Sequence, residues 1–326
     1  MHTHWLDTRG TLLAPAFPLP LHLPFTTQQA FAAGVSRHTF AILIRAGLLR
    51  RILRGVYVAT QAPNDTLTRA RALALVLPPS AVVVDRTAAW LHGVDILPRS
   101  AVVSAPPLEV VHMDDTRVRR SEVAGYRRGL IASDITDVHG VQVTTALRTA
   151  LDLGRLLWRH DALAAIDGFL RIGVPHDLLI TEIGRFRGFR GVRQLRHLAP
   201  LGDARSESPG ESGLRLYWHD AGLPRPVLQL WILDDAGVPI FRLDIADDDV
   251  CYAAEYDGEQ HHTRPGDHEH DAKRREWIAE NRSWVIDPFT KNDVYGRRGD
   301  AVSRLQQGYA EARRGMSLWT PGRRTA

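Results

Sequence analysis

Ala254-Glu255-Tyr256-Asp257-Gly258-Glu259-Gln260-His261-His262, preceded by Leu243-Asp244, decides how the C-terminal third of this chain is read. Ile240 to Ala246 and Val250 to Asp257 have the composition of two adjacent strands, and Asp247-Asp248-Asp249 between them reads as their turn. Strand alternation puts Arg242, Asp244 and Ala246 on one face of this hairpin. Cys251, Ala253, Glu255 and Asp257 share a face on the next strand, and Phe241, Leu243 and Ile245 point the other way. Asp244 and Glu255 are then expected within reach of one ion. Carboxylates gathered on a sheet repel one another and lose hydration. The usual compensation is a hard divalent cation, Mg2+ or Mn2+, held by one or two carboxylates with water and a substrate phosphate. Such a site generates hydroxide or stabilises a leaving oxygen, which is the chemistry of phosphodiester hydrolysis. Gln260 and His261 directly after the strand point to chemistry at that metal.

Around this hairpin the pattern predicts a helix from Pro209 to Asp220 and a strand from Val227 to Leu233. Beyond it come a helix from His268 to Asn281, a strand from Ser283 to Asp287 and a long helix from Gly299 to Arg314. Helix, three-strand meander, helix, strand, helix is the order of an α/β sandwich with a mixed central sheet. Gly202-Asp203-Ala204-Arg205-Ser206-Glu207-Ser208-Pro209-Gly210 reads as the linker that opens this domain, placed at 202–316 and followed by a tail at 317–326.

The other end of the chain has a different outline. Residues 1–24 read as an irregular leader, because Pro15, Pro18, Pro20 and Pro24 interrupt its apolar run. At 25–60, a helix from Gln28 to Ala33 ends at Gly34. Ser36 caps a second helix, from Arg37 to Ala46, which ends at Gly47. Leu48 to Val58 then alternates as a hairpin turning at Arg54-Gly55. Helix, turn, helix and two-stranded wing is the outline of a winged helix-turn-helix, whose second helix enters the major groove. Ser36, Arg37 and His38 stand where base contacts are made, and Arg45, Arg50, Arg51 and Arg54 where phosphates are reached. A small helical bundle with solvated arginines has the same pattern. Residues 61–201 read as mixed α/β, with helices from Thr66 to Leu77, from a capping Asp85 to Leu91, from Thr145 to Leu157 and from Asp161 to Ile172. Strands are expected at Ala101 to Ser104, Leu108 to His112 and Val138 to Val143. No catalytic constellation stands out there. The basic run Arg185, Arg187, Arg190, Arg193, Arg196 reads either as a nucleic-acid face or as a solvated helix surface.

The 326 residues are enough for two or three domains. The formal net charge is +4 and the pI about 9.5, with arginine as the dominant base, so DNA is a plausible partner. The single cysteine, Cys251, excludes an intrachain disulfide and points to a reducing cytosol. No apolar run reaches the length of a membrane span.

Several of these motifs carry a resemblance. Ser208-Pro-Gly-Glu211-Ser-Gly-Leu-Arg215, Gly222-Leu-Pro-Arg-Pro226, Glu255-Tyr-Asp-Gly-Glu-Gln-His-His262, Asp271-x-x-Arg274-Arg275 and Trp284-Val285 resemble the very-short-patch-repair-like endonuclease domains of actinobacteria. These belong to the restriction-endonuclease-like, PD-(D/E)XK, superfamily. The N-terminal two-thirds, through Arg54-Gly-Val-Tyr57, resembles type IV abortive-infection antitoxin proteins that begin with a winged helix. The first resemblance implies Asp244 and Glu255 as metal ligands, Glu211 near the metal or its water, and His261 or His262 assisting the attacking water or the leaving group. It also implies that Asp271 and Arg275 orient the site or meet phosphate. The second implies DNA, and a cognate toxin or a repair partner, as what the protein meets. One departure weakens the first: Asp257 stands where the superfamily has a lysine that stabilises developing negative charge. Either Asp257 is a further ligand, with Gln260, His261 or Lys273 taking over, or catalysis is impaired.

Plainer readings stay open beside these. Ser208, Pro209 and Glu211 fit a capping box, and Asp271 with Arg275 fits a surface ion pair one helical turn apart. The histidines near 261–270 lack the thiolates of a dedicated zinc site. Two functions follow. One is a Mg2+-dependent endodeoxyribonuclease joined to a DNA-binding winged helix. The other is a non-catalytic DNA-binding antitoxin or transcriptional regulator carrying a degenerate nuclease fold.

Overall fold

Three sheets carry the chain, each with its own helices, and their residues fall into two compact units, 1–153 and 154–326. The computed structural model describes residues 5–7, 10–78, 80–96, 108–112, 123–126, 128–258, 277–278, 281–296 and 299–317. The boundary between the units falls inside a helix.

The first unit opens with β1 (Phe25–Thr26), α1 (Thr27–Ala32), α2 (Arg37–Arg45), β2 (Leu49–Leu53) and β3 (Val56–Ala59). Both helices start on oxygen caps. The Thr26 hydroxyl accepts from Gln29 N while the Gln29 side chain accepts from Thr26 N, and Ser36 accepts from Thr39 N. Gly34 and Gly47 end them at positive φ. The sheet order is β1-β3-β2, the hairpin turning at Gly55. Phe25, Ala30, Phe40, Leu43 and Leu49 form the core, and three leader residues join them: Trp5, Leu13 and Phe17. The leader is irregular, as its prolines imply, yet it is packed. Trp5 and Phe17 meet edge to face, and Gln61 Nε2 donates to Leu13 O.

The unit continues with α3 (Thr66–Ala74), β4 (Ala81–Val83), α4 (Asp85–Leu91), β5 (Leu108–His112), β6 (Val123–Tyr126), β7 (Ile135–Val138), β8 (Val141–Thr144) and α5 (Ala146–Leu156). The five strands lie in the order β6-β5-β4-β8-β7 around Leu73, Val83, Leu91, Val110 and Val143. Helix α3 stops short of the expected Leu77. The expected strand from Ala101 to Ser104 lies outside the described residues. Asp85, expected to cap α4, is its first residue at φ 51°, and its carboxylate faces Arg128. The free N–H groups of Arg86 and Thr87 go instead to Glu109 of β5. A side chain from a neighbouring strand thus does the capping, which no local pattern encodes.

The second unit contains α6 (Arg159–Arg171), α7 (His176–Glu182), α8 (Val192–Leu198) and α9 (Pro209–Asp220). There follow β9 (Val227–Leu233), β10 (Pro239–Asp247), β11 (Tyr252–Asp257), β12 (Val285–Thr290), α10 (Lys291–Tyr295) and α11 (Ala301–Ser317). The sheet order is β12-β11-β10-β9. The meander is antiparallel and β12 runs parallel to β11. Leu214, Trp218, Tyr252, Phe289 and Leu305 fill the layer between the sheet and helices α9 and α11. The stretch expected as a linker is tied down. Asp167 of α6 pairs with Arg215 of α9 in the interior and accepts from Asp203 N, and Arg215 and Arg171 donate to the carbonyls of Leu201 and Ser206. Among the described residues no helix is long and apolar enough to cross a membrane.

One expectation of the hairpin fails. Leu243 and Ile245 were to share a face, but Leu243 packs with Ala253 and Trp284 while Ile245 packs with Tyr252 and Leu214. The cause lies opposite Asp244. The register passes from Leu243↔Leu230 to Ile245↔Leu228, leaving Asp244 against Gln229, whose φ of 56° breaks the pleat.

Candidate functional sites

The outward face of α2 is laid down by its period. Phe40 and Leu43 are buried, so Arg37, His38, Ala41 and Arg45 turn outward together. Ser36 is exposed but spends its hydroxyl on the cap, leaving Arg37 and His38 as the polar groups of the first turn. Arg37 also lies over the Phe31 ring, 5.7 Å from its centroid. In the hairpin, Arg51 and Arg54 are exposed. Arg50 is not disposed like them: its guanidinium donates to the carbonyls of Ala62 and Pro63, and burial pulls its pKa down. Expected among the phosphate contacts, Arg50 is placed as a brace across the base of the hairpin.

The carboxylates of the second unit are brought together in part. Glu211 sits in the first turn of α9, where Ser208 Oγ accepts its N–H. Its carboxylate accepts at 2.8 Å from Glu207 N and at 2.9 Å from Gln229 Nε2, so it both closes the helix start and faces the sheet. Burial, and then the nearby Asp244, push its pKa up to about 7. Asp244 Oδ2 accepts from Tyr256 N, and one further step of the β10–β11 register sets Asp244 opposite Glu255. Glu255 is buried. Tyr256 lies under α9, in the space that glycine at 210 leaves open, so alternation turns Glu255 and Asp257 to the face of Ala253. Among the described residues no group of three or more His, Cys, Asp or Glu could hold a metal ion. The expected ligands Asp244 and Glu255 are thus neighbours across two strands. Gln260 and His261, and the expected phosphate group Arg275, lie outside the described residues.

Gln229 is the member that motif reading missed. Its Nε2 reaches Glu211, while its Oε1 is buried without a hydrogen-bond partner. Besides an ordered water, two partners satisfy an orphaned acceptor next to a carboxyl with a raised pKa. Either Glu211 carries the proton and the amide turns over, or an added cation takes all the oxygens.

Two family models match the first unit and the start of the second. A family model described as "Transcriptional regulator, AbiEi antitoxin" matches residues 22–60, and a model described as "AbiEi antitoxin C-terminal domain" matches residues 80–201. The N-terminal antitoxin resemblance is thereby supported, and neither model reaches the residues beyond 201 that carry the endonuclease resemblance. Two uncharacterized proteins of Mycobacterium tuberculosis, from strains CDC 1551 / Oshkosh and ATCC 25618 / H37Rv, are each 32% identical over 281 residues. The match covers 86% of this chain and 99% of the relative. The chain belongs to the same family as these mycobacterial proteins, and its residues 22–60 and 80–201 are similar to AbiEi antitoxin domains.

Proposed function

We propose that this protein is a DNA-binding regulator of the antitoxin class, which reads duplex DNA with α2 and braces the backbone with the β2–β3 hairpin. The observation that carries this reading is the outward face of α2. Arg37, His38 and Arg45 stand on it, and Arg51 and Arg54 are exposed beside it, inside the stretch that matches the transcriptional-regulator model. Arginine at the start of a helix suits bidentate contact with guanine, and the hairpin arginines suit phosphate. A cognate toxin is the second partner that the antitoxin match supports. The test is selection of a binding sequence from random duplexes, followed by titration in increasing salt. Arg37→Ala weakens the selected site about 5- to 150-fold while sparing non-specific binding. Arg51→Gln and Arg54→Gln each lower the salt slope by about 1. Unchanged affinity in all three variants would falsify the assignment.

A second reading is metal-dependent hydrolysis of phosphodiesters at the second unit. One observation favours it: Glu211, Asp244 and the orphaned Gln229 Oε1 are oxygen donors of the kind a hard cation takes, and a cation would offset the burial, and then the repulsion by Asp244, that raise Glu211. Its test is thermal unfolding with and without Mg2+ or Mn2+, beside a plasmid-nicking assay. Stabilisation and nicking that Asp244→Asn removes support it. No metal-dependent change in the native chain sinks it and leaves the regulator reading standing.

A further inference from the structure

The basic run of the second unit is a built loop. Phe186 and Phe189 meet edge to face with centroids 5.7 Å apart, and the Arg155 guanidinium lies 5.2 Å from one ring and 5.8 Å from the other. Arg155 Nη1 donates to Arg190 O, and Gln194 Nε2 donates to the carbonyls of Gly154 and Leu157. Gly191, at φ 79°, rests on the Arg155 backbone so closely that a Cβ there would meet its carbonyl oxygen at 1.8 Å. Gly188 also takes a positive φ. The loop is thus pinned from below at several points, and this rigidity sets it apart from an ordinary solvated turn.

What it presents is unusual for a surface that meets only water. Phe186 is buried but Phe189 is 53% exposed, with Arg155 over its ring and Phe186 set edge to face against it. Arg187, Arg190, Arg193 and Arg196 are exposed around it, and no ion pair forms on any of them among the described residues; Arg185 alone of the run pairs, with Glu182. Guanidinium groups without counter-charges, set about an open aromatic face on a rigid loop, match a strand of phosphates carrying unstacked bases. Duplex DNA satisfies the charges but offers no free base to the ring. We propose that Arg187-Gly188-Phe189-Arg190-Gly191, with Arg193 and Arg196, is a binding site for single-stranded nucleic acid, with a base stacked on Phe189.

The test uses the full-length protein and fluorescence anisotropy with labelled oligo-dT, oligo-U and a hairpin-free duplex. Phe189→Leu keeps the apolar contact but loses the π face, and weakens single-strand binding about tenfold; Phe189→Trp restores it. Arg187→Gln, Arg190→Gln and Arg193→Gln together lower the single-strand salt slope by about 2. Arg37→Ala, on the other unit, leaves single-strand binding unchanged, which separates this site from the proposed duplex reader. The ratio of oligo-dT to oligo-U affinity identifies the natural strand as DNA or RNA. The proposal is overturned if neither oligonucleotide binds at moderate salt, or if Phe189→Leu and the triple arginine variant bind as well as the native chain.

Discussion

Each unit buries carboxylates beside a sheet, and one cluster in each is handled in the opposite way. In the first, Asp85 and Asp152 share Arg128, Asp152 also pairs with Arg148, and Arg148 reaches Asp134; the side chains of this network are less than a tenth exposed. Every carboxylate has a guanidinium, and the network closes on itself. In the second, Glu211 is gathered with Asp244, and its carboxylate accepts from an amide and a backbone N–H. Its charge is held back by burial and by a like charge rather than matched. The difference teaches where to look for function. A matched buried network holds a domain in one arrangement, whereas a mismatched one stores an unfavourable charge that a proton or a ligand relieves.

The comparison breaks most easily at Arg128. Arg128→Met leaves Asp85 buried with its guanidinium gone and Asp152 with Arg148 alone, and is expected to cost about 3–5 kcal/mol in urea unfolding. A loss under 1 kcal/mol would mean that water reaches the network.

Glu211→Gln has the opposite sign. The folded carboxyl titrates near 7 against 4.5 for the free group, so between these values the folded state holds more protons than the unfolded one. Stability therefore falls as pH rises from about 4.5 to about 7 and is level above that. The glutamine removes this penalty, and stability at pH 8 rises by roughly 3 kcal/mol, with no gain at pH 4. A variant less stable than the native chain at pH 8 would place Glu211 among matched charges after all.

Glu109 sharpens the contrast from within the first unit. Burial, then the nearby Asp85, push it up to about 6, while N–H groups of α4 pull the other way. Glu109→Gln is expected to flatten the pH dependence between about 4.5 and 6 and to change stability at pH 8 by about 2 kcal/mol at most, because it also weakens the cap of α4. The smallest effect is reserved for Arg50. As a brace on Ala62 and Pro63 it should leave the salt dependence of DNA binding unaltered in Arg50→Gln, where Arg51→Gln lowers it.

Much of the fold was legible because local chemistry and tertiary context agree. The cap at Ser36, the glycines at 34 and 47, the hairpin turn at Gly55 and the whole of α9 stand where propensity and period put them. The outward face of α2 follows from the same period. The pairing of Asp244 with Glu255 across two strands was readable from alternation and turn length. The reversal of faces between Leu243 and Ile245 was not, because it comes from the backbone of Gln229 on another strand. The roles of Arg50 and Gln229 escaped notice for a related reason: an exposed residue type in a polar pattern says nothing about which carbonyl or carboxyl it meets.

Sequence alone therefore settled the order of elements from Phe25 to Ala59 and from α9 to β11, the basic helix-turn-helix outline and the concentration of acid near position 244, since each depends on neighbours a few residues apart. Tertiary structure decided the rest. It drew Trp5, Leu13 and Phe17 from a proline-broken leader into a core and tied the linker-like stretch near Asp203 to α6. It paired the carboxylates of one unit and left Glu211 to be raised by its surroundings in the other. Those outcomes turn on desolvation and on partners dozens of residues away, and the chain specifies such partners only once its layers have closed over them.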